Sequence, residues 1–187
     1  MMNLVLAITG ATGALAAERL VRKSPWPITL VASKWGKDVF TRECGDFSRL
    51  AELADTVLDD RDLAAAISSG SVPTRGMVIL PCSANTMGKI AHGIGDSLIS
   101  RAAHCHLKEG RRLVLCVRET PWTLIDLNNA AAVAAAGGTI MPLSPPFFQM
   151  GKRDPATVSM IELLDAYADR VLALLGHPAA TNWETLS

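Results

Sequence analysis

The sequence predicts an α/β domain built on a mainly parallel sheet. Short apolar runs alternate with helical stretches along all 187 residues. The runs end in small, polar or Gly-rich loops, and no internal repeat or linker divides the chain, so residues 1–187 read as a single domain.

The elements follow in order. Residues 3–8, NLVLAI, are a short apolar run before TGATGA, which suits a buried parallel strand. ALAAERLVRK carries apolar positions at helical spacing and basic residues at its end. PITLVAS (27–33) is a second strand, and KWGKDVFTRE starts a helix. Residues 45–75 are polar and Asp-rich, with a helix predicted near RDLAAAISSG. GMVILPCS (76–83) is the third predicted strand, and residues 84–109 are helical with a break around Gly93–Gly95. RRLVLCVRE (111–119) is the fourth strand, followed by an Ala-rich helix that a Gly pair closes. TIMPLSPP (139–146) is the fifth strand, and residues 156–176 form a long amphipathic helix.

Composition excludes several functions. Eighteen basic and eighteen acidic residues cancel, so nucleic-acid binding has no electrostatic support. No apolar run reaches the roughly 18 residues of a membrane span. The N-terminus lacks the basic segment of a signal peptide and turns straight into a glycine loop. Cys44, Cys82, Cys105 and Cys116 show no CxxC spacing and sit in or beside apolar runs. They read as reduced core residues of a cytoplasmic protein. The four histidines show no metal-binding spacing.

Open α/β sheets bind ligands beyond the carboxyl ends of their strands. Here those ends carry Thr9 to Gly13, then Ser33, then Pro81 to Thr86, then Arg118 and Glu119, then SPPFF. Hydroxyls, amides and a guanidinium at four of five ends suit a phosphorylated ligand. Small residues in TGATG let amides and a helix N-terminus approach an anion, although a tight strand-to-helix turn needs the same residues. Ser83 or Asn85 equally suits an ordinary helix cap. Arg118 follows the buried run LVLCV, where a charge needs a carboxylate or phosphate partner.

With these residues in view, AITGATGA, VASKWGKDV, PCSANTMGKIAHGIGDSLISRAA, LKEGRRLVL and RETP resemble the UbiX/Pad-type flavin prenyltransferases. The resemblance implies a flavodoxin-like, Rossmann-type three-layer fold, a homo-oligomer that is usually a dodecamer, and no metal. It implies transfer of a dimethylallyl group from its monophosphate or pyrophosphate to reduced FMN, with the product serving a UbiD-type decarboxylase. On the matching positions, Gly10, Ala11, Thr12, Ser33, Ser83 and Thr86 would hold FMN, with Arg118 beside them. Lys108, Arg118 and Arg170 would hold the prenyl phosphate, and Thr12, Lys108 and Glu119 would serve catalysis. Glu43, Phe148 and Trp183 would line the substrate pocket, with the tail 177–187 closing over it. A chain this small does not readily enclose two phosphorylated ligands, so neighbouring subunits would complete the site.

The chain departs from the family pattern at a few places. Phe148 stands where most members carry a tyrosine whose hydroxyl meets the prenyl phosphate. The loop after it is longer, and Lys152 or Arg153 within it offers a replacement cation. Val117, Trp122 and Asp126 replace a proline, a smaller apolar residue and a histidine. These departures favour a second reading, an FMN-binding relative with altered or lost transfer that acts beside a decarboxylase. PCSANTMGKIAHGIGD also resembles the flavin-dependent cysteine decarboxylases, but residues 34–75 contain no histidine of the kind those enzymes use. A dehydrogenase lacks support because no GxGxxG is present.

Overall fold

The computed structural model describes residues 2–150 and 153–178. Six parallel strands form one sheet: β1 (Leu4–Ile8), β2 (Ile28–Ala32), β3 (Thr56–Asp59), β4 (Gly76–Cys82), β5 (Leu113–Val117) and β6 (Thr139–Ile140). Their order is β3-β2-β1-β4-β5-β6. The direction of winding reverses between β1 and β4, and that crevice is where doubly wound sheets take their ligands.

Alternate residues of each strand feed two cores. Leu4, Leu6 and Ile8 of β1 face one, and Val5 and Ala7 face the other. The first core is covered by α1 (Leu15–Lys23), α2 (Lys34–Cys44), the short α3 (Ser48–Ala51) and α7 (Met160–Leu174). The second is covered by α4 (Ala84–Ala91), α5 (Leu98–Lys108) and α6 (Leu124–Ala135). Both faces are therefore buried, which is why β1, β2, β4 and β5 read as nearly continuous apolar runs, β2 interrupted by the buried Thr29. Cys82, Cys105 and Cys116 are buried, all four thiols are free, and burial pushes the Cys116 thiol up to about 12.

Three expectations change. The helix predicted near residues 61–70 is only a 3-10 turn, Ala66–Ser68. Asp59 and Asp62 accept hydrogen bonds from the amides of Arg61 and Ala64 at 2.9 and 3.0 Å, and such local turns compete with a helix. The sequence reading also passed over β3, TVLD, whose two apolar residues at the sheet edge are too few to read as an apolar run. The last strand is much shorter than 139–146, because Pro142, Pro145 and Pro146 cannot donate to a ladder. Pairing still continues, with Met141 and Leu143 amides bonding to the carbonyls of Leu115 and Val117 at 2.9 and 2.8 Å. Among the described residues no helix is long and apolar enough to cross a membrane.

Candidate functional site

A cleft of about 420 Å³ opens at the carboxyl ends of β1, β2 and β4, within the range of small-molecule sites. Buried Thr9 ties two of these strands together. Its hydroxyl donates to the Pro81 carbonyl at 3.0 Å and accepts from the Ser83 amide at 2.8 Å. Ser33 caps α2 by accepting from the Gly36 amide at 3.0 Å. A Cβ on Gly36 would lie 2.3 Å from the Ile8 carbonyl oxygen, so glycine alone lets the start of α2 press against the end of β1. Ser83 caps α4, accepting from the Thr86 amide at 3.2 Å and sharing a 3.0 Å hydrogen bond with the Thr86 hydroxyl.

The cap reading and the ligand reading of these serines are compatible. A serine hydroxyl has one donor and two acceptor lone pairs. The Ser33 cap consumes one lone pair and leaves the proton free for an anion at the start of α2 and α4. Trp35 is 64% exposed at the cleft mouth. It lies so close over the first loop that a Cβ on Gly10 would come within 2.7 Å of its own Cβ. Lys89 lines the cleft and is engaged by Asp96 at 2.8 Å, a bond that lowers the Asp96 carboxyl pKa. Sequence reasoning missed Trp35 and Lys89 as cleft residues. Trp35 directly follows Ser33-Lys34 at a helix start, which was the available signal.

The first loop places Gly10, Ala11 and Thr12 beyond β1, with Thr12 exposed. Gly13 has a φ of 95° and opens α1. The anion on that helix N-terminus is internal. The Glu43 carboxylate accepts from the Gly13 amide at 2.9 Å and from the Ala14 amide at 2.7 Å. Glu43 thus meets the end of the first loop.

Arg118 and Glu119 leave β5 at the same edge of the sheet. The Arg118 amide donates to the Cys82 carbonyl at 3.0 Å, and its side chain is exposed. The Glu119 carbonyl accepts from the Trp122 indole N–H at 2.8 Å, so the larger residue at 122 braces this turn. Phe148 is half-buried in a 3-10 turn, Phe147–Met150, that packs against α7. Leu143, just upstream, fills the space that a side chain on Gly13 would need. Arg153, offered as a replacement cation, is paired with Glu162 at 2.7 Å. Lys152 and Trp183 lie outside the described residues.

Two expected cations are not brought to this cleft within one chain. Helices that connect parallel strands run antiparallel to them, so helix carboxyl ends lie at the opposite edge of the sheet. α5 begins beside Asp60, where the Leu98 amide meets the Asp60 carbonyl at 2.7 Å, and runs back toward the start of β5. Its last residue, Lys108, pairs there with Glu109 at 2.6 Å. Arg170 is exposed on α7 beside Asp169, which pairs with Lys23 at the far end of α1. Lys108 and Arg170 therefore lie away from this chain's own cleft, which leaves the phosphate role expected of them to a cleft of a neighbouring copy.

Among the described residues no group of three or more His, Cys, Asp or Glu is placed to hold a metal. The model of the Flavoprotein family matches residues 1–169. The flavin prenyltransferase UbiX of Deinococcus radiodurans is 46% identical over 178 residues, which span 93% of this chain and 88% of that protein. AnUbiX (PadA1), solved with FMN and dimethylallyl pyrophosphate, superposes with a TM-score of 0.90 at 37% identity over 97% of both chains. A dodecameric FMN-dependent UbiX-like decarboxylase from Escherichia coli O157:H7 gives 0.88 at 35% identity over 97% of this chain and 98% of its own. The chain belongs to the flavoprotein family, among the UbiX-type flavin prenyltransferases.

Proposed function

We propose that this protein transfers a dimethylallyl group from dimethylallyl phosphate or pyrophosphate to reduced FMN. The observation that carries the reading is the likeness to AnUbiX over 97% of both chains, that relative being solved with both ligand types. The cleft suits FMN: Ser33, Ser83 and Thr86 supply hydroxyls at two helix starts for its phosphate, and Trp35 offers a flat apolar wall. Bound reduced FMN supplies the electron-rich ring that accepts the prenyl group.

The chain's own residues serve the leaving group. Breaking an allylic C–O bond leaves negative charge on the phosphate oxygen, which positioned cations stabilise. Arg118 provides one from within the chain. Lys108 and Arg170 provide others from neighbouring copies, because they sit at the opposite edge of the sheet. Trp183, expected to close over the pocket, lies outside the described residues. Glu119, beside the same turn, holds or moves a proton, and aromatic walls keep water from the allylic carbon. The assembly is a dodecamer, the product is passed to a UbiD-type decarboxylase, and the work is done in the cytoplasm.

A second reading is favoured by Phe148. A lost hydrogen bond to a charged group costs about 1.5–3 kcal/mol, or about 10–150-fold in rate if it acts only in the transition state. The protein would then bind FMN with weak or no transfer. Incubating it with reduced FMN and each donor, then weighing the released flavin by mass spectrometry, separates the two. A gain of one five-carbon unit supports transfer. Bound, unmodified flavin with both donors overturns it.

A further inference from the structure

Three helices begin at the cleft, α2 after Ser33, α4 after Ser83 and α5 after Ser97. They do not offer an anion the same welcome. The first amides of α5 are already taken. Leu98 donates to the Asp60 carbonyl at 2.7 Å, Ile99 to the Asp60 carboxylate at 2.9 Å, and Ser100 to the Ser97 hydroxyl at 3.3 Å. This wall of the cleft therefore presents the negative charge of Asp60 rather than free donors. The phosphate of FMN is a monoester of about −1.5 to −2 charge near neutral pH. Hydroxyls and two helix starts give it donors but no full positive charge, and Asp60 repels it.

Lys89 is placed to offset that repulsion. It lines the same cleft, one turn past Thr86 on α4. Helical side chains lean toward the helix N-terminus, which carries the Lys89 stem toward the turn that holds Ser83 and Thr86. Its ammonium donates to both Asp96 oxygens, at 3.0 and 2.8 Å. Asp96 directly precedes the Ser97 cap, so the ion pair ties the α4 wall of the cleft to the α5 wall. An ammonium has three donors, and one carboxylate with two bonds leaves one over.

We propose that Lys89 is the cation that meets the FMN phosphate in the cleft, held in place by Asp96. The proposal rests on the FMN reading above and adds a contact that riboflavin, which is FMN without its phosphate, cannot make.

Calorimetric titration of the full chain, freed of flavin, with FMN and with riboflavin tests it. Lys89→Met lowers FMN affinity about tenfold or more and leaves riboflavin affinity at the wild-type value. The unchanged riboflavin affinity also reports an intact cleft. Asp96→Asn breaks the same ion pair but keeps the cation, so it weakens FMN binding less than Lys89→Met does. Wild-type FMN affinity in Lys89→Met overturns the proposal. So does an equal loss for both flavins, or an equal loss in Asp96→Asn, since either means that the ion pair only shapes the wall. A wild type that binds neither flavin overturns the FMN reading itself, and this proposal with it.

Discussion

The carboxylate of Glu43 sits 2.7 Å from the Ala14 amide, at the N-terminus of α1. A helix N-terminus carries partial positive charge, and a negative side chain there is worth about 0.3–1 kcal/mol. Glu43→Ala removes it and exposes two amides. We expect the melting temperature to fall by about 1–4 °C. Inorganic phosphate should then raise the variant's melting temperature more than the wild type's. Equal phosphate effects on both would contradict an anion seat at this position.

Tyr167 is the chain's single tyrosine, and it is fully buried. Its hydroxyl donates to the Met141 carbonyl at 2.9 Å, which fastens the segment leading to Phe148 onto α7. Burial pushes its pKa far above the usual phenol range. Tyr167→Phe leaves that carbonyl unsatisfied and should cost about 1–3 kcal/mol, read by urea denaturation.

His106 gives a pH dependence. The Ala102 carbonyl only accepts, so Nδ1 carries the proton in their 2.7 Å bond, and Nε2 accepts from Thr74 at 2.7 Å. Burial lowers its pKa from 6.5, and nearby Arg111 adds to the shift. The unfolded chain then binds a proton near pH 6.5 that the folded chain refuses. Stability is therefore complete above that pH and falls as pH drops through it toward the folded value. His106→Gln should flatten this slope between pH 7.5 and pH 5, measured by urea unfolding at each pH.

Phe148→Tyr restores the hydroxyl that the family pattern carries at this place. If a phosphate oxygen comes within reach of it, kcat/KM for the prenyl donor rises about tenfold or more. Unchanged kinetics would show that this chain's longer loop has moved the position away from the phosphate.

Most of the fold was legible in the sequence because both faces of the sheet are covered. β1, β2, β4 and β5 therefore announce themselves as apolar runs, and the glycines and hydroxyls at their ends mark the cleft. β3 was hidden because this edge strand is four residues long with only two apolar positions between Asp55 and Asp59. Ser33, Ser83 and Thr86 line the cleft at the strand ends. Lys108 and Arg170 lie away from it, and a linear motif records neither which edge of the sheet a helix end reaches nor which copy it serves.

The claim that one chain supplies the flavin cleft with Arg118 and neighbouring copies supply Lys108 and Arg170 has a direct test. Arg118→Ala and Lys108→Ala chains, each expected to be nearly inactive alone, are co-expressed with different tags and purified as mixed oligomers. Prenyl transfer to FMN should return, because some clefts then combine an intact Arg118 from one chain with an intact Lys108 from another. Mixed oligomers no more active than the separate variants would contradict the account.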